Sequence, residues 1–151
     1  MTATNHALFG AVIGASISQP QLAIPLAFAS HFLLDAIPHF GLDDFGGHLN
    51  AKKQFHRVLY VDALLLACVF ILLLLLSAPH LVFICAILAG SADFVWAYRY
   101  IVKEHLGKIK PSPKSHFSRF HSKIQTSQTL NGIFIELPLA VILTSVIIIL
   151  L

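Results

Sequence analysis

The chain has 151 residues, of which 57% are hydrophobic and 11% are charged, and its mean hydropathy is +0.81. Soluble domains carry about 25% charged residues, so the composition excludes an ordinary soluble domain and predicts a single integral membrane bundle over residues 1–151. The net charge of +3 does not indicate nucleic-acid binding, because excess Lys and Arg in a membrane protein first reports its orientation.

Apolar segments predict five helices, over about residues 5–18, 21–37, 56–76, 80–100 and 130–151. The last three are long enough to cross the ~30 Å hydrocarbon core of a bilayer. The first two are shorter, and a brief polar connection containing Pro20 joins them. They are predicted either as two thin spans or as a re-entrant hairpin. No cleavable signal peptide is expected, because no basic region precedes the first segment.

A further helix is predicted over about residues 113–125, before the last apolar segment. Its apolar positions follow the helical spacing i, i+3, i+4, i+7, with Phe117, Phe120, His121 and Ile124 on one face. The basic residues Lys114, Arg119 and Lys123 lie off that face. This pattern predicts an amphipathic helix on the cytoplasmic membrane interface.

The basic residues predict how the chain is oriented. All ten lie either in the connection leading into the third apolar segment or around the connection between the fourth and fifth. The positive-inside rule therefore places the N-terminus and both long connections in the cytoplasm and Leu151 outside. The expected location is the cytoplasmic (inner) membrane.

Acidic and imidazole side chains interrupt the apolar segments at about one depth. Asp62, Asp93 and Glu136 each lie roughly 9 Å from the predicted cytoplasmic end of their helices, at a rise of about 1.5 Å per residue. Each such group costs roughly 2.5–3.5 kcal/mol at a helix centre, so a layer of them indicates a metal site or a proton relay. The layer contains His31, Asp35, His56, Asp62, Asp93, His121 and Glu136, with His6 and His39 at adjacent helix ends.

The sharpest motif lies at the end of the second segment. His31 and Asp35 are spaced i, i+4 and therefore share one helix face, on which an imidazole and a carboxylate can bind one metal ion. The alternative is a buried hydrogen bond that only joins helices. Pro38 is expected to end the helix, which leaves His39 just beyond it.

This motif resembles that of uncharacterised integral membrane proteins described as membrane-bound metal-dependent hydrolases. Those proteins also have a histidine just after the N-terminus, here His6, followed by a short glycine-containing helix, here with Gly10 and Gly14. The resemblance is clear over about the first forty residues and continues as a helical pattern beyond them. It implies a helical membrane bundle with a metal-dependent hydrolytic site.

A fainter similarity links the same residues to zinc-dependent phospholipase C and related nucleases. Their sites use a histidine, three residues, an aspartate and a following proline–histidine, an order matched by His31, Asp35 and His39. His121 and Gln125 are the counterparts of the second histidine–acid pair of that family. The similarity implies phosphoester chemistry.

We therefore expect an all-α membrane bundle that holds one or two divalent metal ions, with zinc favoured for the imidazoles. The expected ligands are His6, His31, Asp35 and His39, followed by His56 and His121.

The acidic residues Asp62, Asp93 and Glu136 are interpreted as catalytic groups: ligands, groups that orient ligands, or the general base. If Glu136 is the base, its removal should abolish turnover and spare metal binding. The expected substrate is a lipid or a lipid-linked phosphoester at the cytoplasmic leaflet, because flanking basic residues attract anions there.

Two other function classes fit the same polar layer. A proton or metal-ion carrier would use it without hydrolysis, and a structural interaction protein would use it only to join helices. Two of the histidines also have simpler interpretations, His56 as an interfacial residue and His121 as a residue at the lipid headgroups. The composition does not indicate the oligomeric state.

Overall fold

The computed structural model describes the backbone of residues 1–41, 49–106, 116–124 and 128–151. It describes the side chains of the same residues except 49–55, 95–106, 117, 118 and 122. Six α-helices follow one another: α1 (Ala3–Ser16), α2 (Pro20–Asp35), α3 (Leu49–Leu75), α4 (His80–Leu106), α5 (His116–Ile124) and α6 (Ile133–Leu150). Two short strands, β1 (His39–Phe40) and β2 (Gln128–Thr129), complete the fold.

The predicted helical class is confirmed, with a helix at each of the six predicted places. The helices α3 and α4 extend further than their apolar segments, α3 toward the N-terminus and α4 as far as Leu106. The extensions contain Lys, Gln and Glu, which are good helix formers although they do not extend an apolar run. For the predicted helix at 113–125, residues 113–115 and 125 and the side chain of Phe117 lie outside the described residues.

Two helices have the length and composition needed to cross a membrane. One apolar stretch is His56–Leu75 in α3, and the other is Leu130–Leu150, which contains α6. Their mean hydropathies are 2.9 and 2.7. Only 11% and 17% of these stretches is buried within the protein, whereas the core helix of a soluble protein is mostly buried. Their outer faces are apolar and exposed, as Leu75 and Ile149 illustrate. A shorter apolar helix covers His80–Phe94.

The helix ends follow local sequence signals. Pro20 is the first residue of α2, where a missing N–H costs nothing. The helix ends at Asp35, three residues before Pro38, as predicted. Ser77, with φ 55°, ends α3 in a left-handed turn in which the Ser77 and Ala78 N–H groups donate to the carbonyls of Leu74 and Leu73.

The short helix α1 is the centre of the bundle, since it packs against α2, α3, α4 and α6. Its contact with α4 is especially close because it carries Gly10 and Gly14, one turn apart. A Cβ atom at Gly10 would overlap the Cys85 carbonyl oxygen, and one at Gly14 would lie 2.8 Å from Val82 Cα. Small residues at this spacing let helix backbones approach in an apolar environment.

The apolar core lies toward one end of α1. Leu8 and Ala11 of α1 pack there with Leu73 of α3, Val82 of α4 and Ile147 of α6. Where lipid surrounds the helices, van der Waals packing of such side chains holds the helices together. The polar side chains gather at the opposite, N-terminal end of α1. The core therefore fixes the helices whose other ends form the polar site.

The strands β1 and β2 pair in parallel, with His39 opposite Gln128 and Phe40 opposite Thr129. This pair was not predicted from the sequence, from which His39 is expected just beyond the end of the second helix. Two residues per strand carry too little alternation to be recognised in a sequence. A Cβ atom at Gly132 would overlap the His39 backbone, so this glycine allows α6 to begin directly against β1.

Candidate metal centre

The polar layer predicted from the sequence converges on the N-terminal end of α1. Asp62 of α3 contacts Thr4, Glu136 of α6 contacts Thr2, and Asp93 of α4 lies beside His6. A shared depth in the sequence therefore corresponds to a shared position in three dimensions. Within the layer, the side chains divide into a metal-type cluster and two carboxylates that hold α1.

The metal-type cluster consists of His31, Asp35, Asp93 and His121, and one ligand atom of each lies within 4.8 Å of the others. The Nε2 atoms of His31 and His121 are 2.9 Å apart. Asp35 Oδ2 lies 3.2 Å from His31 Nε2 and 3.0 Å from His121 Nε2. Asp93 Oδ1 lies 3.9 Å from His31 Nε2.

Three helices bring these side chains together. His31 and Asp35 share the inner face of the last turn of α2, as their i, i+4 spacing predicts. Asp93 comes from α4, and His121 comes from α5. The Phe32 ring packs against Phe120 of α5, with ring centroids 5.5 Å apart, which holds His121 over the site.

The orientation of His31 is fixed by its second ring nitrogen. His31 Nδ1 donates a hydrogen bond of 2.8 Å to the Ala89 carbonyl of α4, so the Nε2 lone pair points into the cluster. Histidines that bind metals usually donate their other N–H to a carbonyl or carboxylate in this way. The arrangement is therefore suited to a ligand and not only to a helix-joining hydrogen bond.

The residues fit a divalent metal ion. Four ligand atoms at about 2.0–2.2 Å from a tetrahedral zinc ion are roughly 3.3 Å from one another. The separations in the cluster run from 2.9 Å to at most 4.8 Å, a range that includes this value. Two imidazoles and two carboxylates suit zinc and several other transition metals. His31 and Asp35 are fully buried, whereas the Asp93 side chain is 22% exposed and marks the open side.

His6 lies directly beside the cluster, as the sequence predicted. Its Nε2 is 3.2 Å from Asp35 Oδ1 and 3.7 Å from Asp93 Oδ2. The His6 ring stacks on the His31 ring with centroids 4.0 Å apart. The amino group of Met1 also reaches this edge, 2.7 Å from Asp35 Oδ1.

Asp62 caps the N-terminal end of α1. Its Oδ2 accepts a hydrogen bond from the Ala3 N–H, and its Oδ1 accepts from the N–H and the hydroxyl of Thr4. A carboxylate at this position satisfies donors that have no partner inside the helix and interacts favourably with the helix dipole. These bonds favour a structural role for Asp62. Its predicted catalytic role stays a prediction.

Glu136 binds the same end of α1 from α6. Its Oε2 accepts from the Thr2 N–H, the Thr2 hydroxyl and the Asn5 amide, while its Oε1 accepts from the Phe40 N–H of β1. The carboxylate thus joins three elements and lies outside the four-residue cluster. The hydrogen bonds favour a positioning role, and the predicted role as general base stays a prediction.

The other two predicted ligands are His39 and His56. His39 is fully buried in β1 and donates from Nδ1 to the Ile37 carbonyl. Burial, and then the charge of the Met1 amino group, lower the pKa of His39 below its usual value. His56 is half-buried on α3. Neither belongs to the group of four, and their predicted roles as ligands stay predictions.

The polar residues that donate hydrogen bonds to these two carboxylates were not predicted from the sequence. Thr2, Thr4 and Asn5 hydrogen-bond to Asp62 and Glu136 across the bundle. A run of small polar residues immediately before an apolar segment is a helix-start signal, and here it was the available clue. The predicted counterpart of the second histidine–acid pair, Gln125, lies outside the described residues.

Comparison of the chain with models of protein families, with curated proteins and with solved structures finds no match.

Proposed function

We propose that the protein is a membrane-embedded, metal-dependent hydrolase that acts on a lipid or lipid-linked phosphoester at the cytoplasmic leaflet. The observation that carries the proposal is the buried cluster of His31, Asp35, Asp93 and His121, with ligand atoms within 4.8 Å of one another. The resemblance of the histidine–aspartate–proline–histidine run to metal-dependent membrane hydrolases supports the same reading.

The membrane location rests on the exposed apolar faces of α3 and α6. In the proposed orientation, the ends of these helices that carry Asp62 and Glu136 face the cytoplasm, where the basic residues of the chain also lie. The site then opens at the level of the lipid headgroups. A reporter enzyme fused after Leu151 tests the orientation, because it should be active only when exported.

A bound divalent ion would lower the pKa of water toward ~7 and polarise a phosphoryl oxygen. The residues of the chain supply the rest. His31, held by the Ala89 carbonyl, and Asp35, held between three histidines, keep a fixed ligand geometry. Asp93 lies at the open edge of the cluster, where water and substrate have access.

An apolar cavity lined by residues of α1, α2 and α6 supports a lipid substrate. Its volume is about 440 Å³, within the range of roughly 300–1,000 Å³ typical of ligand sites. The lining comes from α1, the end of α2 and the exposed face of α6, and includes Leu34, Ile37, Phe134 and Leu139. Met1 also lines the cavity and its amino group lies 2.7 Å from Asp35 Oδ1, so a headgroup at this end of the cavity would be near the cluster.

The carrier alternative requires polar groups on the opposite side of the bundle. Within the part of the chain that the structure describes, the buried residues at the other end of α1 are apolar, including Leu73, Val82 and Ile147. A carrier would need to rearrange this core. The described geometry therefore favours a one-sided site.

The test is hydrolysis by detergent-purified, metal-loaded protein. The substrates are mixed micelles containing phosphatidic acid, phosphatidylglycerol or a polyprenyl phosphate, with phosphate and headgroup release as readouts. Turnover that a chelator removes and zinc restores would support the proposal. His31→Ala should lack activity, and His80→Ala, at an exposed histidine at the start of α4, should retain it. Metal-loaded protein that hydrolyses none of these lipids but carries zinc into liposomes would replace the hydrolase with the carrier.

A further inference from the structure

The two carboxylates of the cluster each face histidines with both of their oxygens. Asp35 Oδ2 lies 3.2 Å from His31 Nε2 and 3.0 Å from His121 Nε2. Asp35 Oδ1, on the other side, lies 3.2 Å from His6 Nε2 and 2.7 Å from the Met1 amino nitrogen. The Asp35 carboxylate therefore lies between His31 and His121 on one side and His6 on the other.

Asp93 repeats this arrangement. Its Oδ1 lies 3.9 Å from His31 Nε2, and its Oδ2 lies 3.7 Å from His6 Nε2. The two carboxylates thus come from different helices and divide their oxygens in the same way. A site in which four ligands bind one ion uses one oxygen of each carboxylate. The other oxygen of each carboxylate, near His6, then has no role in metal binding.

The stacked histidines give the separation between the two positions. The rings of His6 and His31 are 4.0 Å apart and inclined by 26°. Each ring directs Nε2 toward the same pair of carboxylates. Metal ions in two-metal hydrolytic sites are about 3.5–4 Å apart, which is close to the 4.0 Å between these two ring centroids.

We propose that the site is dinuclear, with Asp35 and Asp93 bridging two divalent metal ions. His31 and His121 are the nitrogen ligands of the first ion, and His6 is the nitrogen ligand of the second. This inference rests on the metal centre of the proposed function and deepens it. The four-residue cluster alone gives His6 no role and does not require a second ion.

Part of the charge in the polar layer is offset by the protein itself. Asp62 and Glu136 accept hydrogen bonds from the start of α1, and the Met1 amino group lies 2.7 Å from Asp35 Oδ1. Asp35 and Asp93 supply the carboxylate charge that faces the histidines. Burial of unbalanced carboxylates is costly, and bound cations are a common way to offset it.

A two-metal site narrows the substrate class. Two ions held by His6, His31, His121 and the two carboxylates would stabilise the attacking and leaving oxygens of an in-line displacement at phosphorus, which favours a phosphoester over a carboxylic ester. In such a displacement a water oxygen bonds to phosphorus, the bond from phosphorus to the leaving oxygen breaks, and the proton from water passes to solvent or to the leaving oxygen. The products are an alcohol and a phosphate.

The experiment measures metal stoichiometry and coupling without relying on turnover. Protein purified in detergent is stripped with a chelator and reloaded with Mn²⁺ or Zn²⁺. Bound metal is counted by elemental mass spectrometry, and Mn²⁺ spectra are recorded by electron paramagnetic resonance. The variants are His6→Ala and His6→Gln, with His80→Ala as the matched control at an exposed histidine. His6→Gln keeps a hydrogen-bonding group toward Asp35 and serves if the alanine variant does not fold.

We expect two ions per chain and an exchange-coupled Mn²⁺ signal in the unaltered protein and in His80→Ala. The His6 variants should bind one ion and lose the coupling. One ion per chain with an uncoupled signal in the unaltered protein would overturn the dinuclear site and leave a mononuclear hydrolase possible. Two coupled ions in protein that hydrolyses no lipid phosphoester would support the dinuclear site and contradict the proposed function instead.

Discussion

Asp35 shows how one residue organises the site. Its carboxylate contacts His6, His31 and His121 and is fully buried. The sequence predicted its pairing with His31, because an i, i+4 spacing fixes two side chains on one helix face whatever surrounds them. The sequence did not identify Ala89 as the partner of His31 Nδ1, because a backbone carbonyl on another helix leaves no signature in the chain.

Asp93 and Asp62 have different contacts, which imply different roles, and the same substitution at each residue tests these roles. Asp93→Asn should lower metal affinity by about 10-fold or more, because an amide is a poorer ligand than a carboxylate. Its stability should change little, since Asp93 is partly exposed and its described contacts are longer than 3.5 Å. Metal affinity is measured by chelator competition, and stability by unfolding in detergent.

Asp62→Asn is the matched comparison and should behave in the opposite way. Asp62 accepts hydrogen bonds from the Ala3 N–H, the Thr4 N–H and the Thr4 hydroxyl. An amide group in its place turns a donor toward these donors. We expect lower stability and weaker metal binding in proportion to it. An Asp93→Asn protein that unfolds, or an Asp62→Asn protein of unaltered stability, would show that the two roles are assigned wrongly.

Glu136→Gln tests whether that carboxylate positions α1 or acts as a base. The four donors around Glu136 make its loss costly, because a hydrogen bond to a charged group contributes about 1.5–3 kcal/mol. We expect the free energy of unfolding to fall by about 3 kcal/mol. Denaturant titration followed by circular dichroism measures this. A variant with full stability and full metal content but no turnover would instead establish Glu136 as the base.

Among the elements, α1 is the one whose position in the bundle was hardest to predict from the sequence. Its apolar run predicted a helix, and the helix is present. Its central position was not predictable, because a hydrophobic run does not say which neighbours it will contact. Gly10 and Gly14 were noted only as part of a family resemblance, yet they set the close contact with α4. The pair β1 and β2 was missed for a related reason, since its pairing depends on Gly132 and Glu136 far along the chain.

Gly10→Ala tests the packing of α1 against α4. The added methyl group would overlap the Cys85 carbonyl oxygen, and backbone cannot move aside cheaply. Overpacking of this kind costs about 1–3 kcal/mol. Because α1 also carries His6, metal content should fall with stability. Both are measured on purified protein, by thermal unfolding and elemental analysis.

Gly90→Ala is the matched control. A Cβ atom at Gly90 would meet Phe94 Cζ at 3.8 Å, an ordinary van der Waals contact. Alanine is also the better helix former by about 1 kcal/mol. Stability should therefore be unchanged or higher. Equal losses at Gly10 and Gly90 would argue against close α1–α4 packing as the reason for the glycine.

The docking of α5 should depend on bound metal. This short helix carries His121, which contacts His31 and Asp35, and Phe120, which packs on Phe32. When the metal is removed, the imidazole contacts of His121 and the ring contact of Phe120 remain to hold α5. We expect trypsin to cleave faster after the exposed residues Arg119 and Lys123 when the protein is stripped with a chelator.

Cleavage after Arg57, an exposed residue of α3 that belongs to a different element, provides the internal reference. Its rate should be the same with and without metal. Mass spectrometry of the fragments follows both sites in one sample. Metal-independent cleavage at Arg119 and Lys123 would mean that His121 does not hold α5 through a metal ion.

The bundle unites two properties that the sequence suggested separately. Apolar composition predicted a membrane protein, and α3 and α6 carry the exposed apolar faces that such a protein needs. The shared depth of the acidic residues predicted one polar layer, and these residues meet at the N-terminal end of α1. The division of the layer into ligands and helix caps was not predictable, because depth along a helix does not determine the direction in which a side chain points.

The most direct measurement is the metal content of detergent-purified protein, determined by elemental mass spectrometry for the unaltered chain and for His31→Ala with Asp35→Ala. We predict a stoichiometric transition metal in the unaltered protein, with none in the double variant although circular dichroism shows it folded. Folded, unaltered protein that is free of metal and takes up no added zinc would contradict the metal centre. The polar layer would then serve proton transfer or helix packing alone.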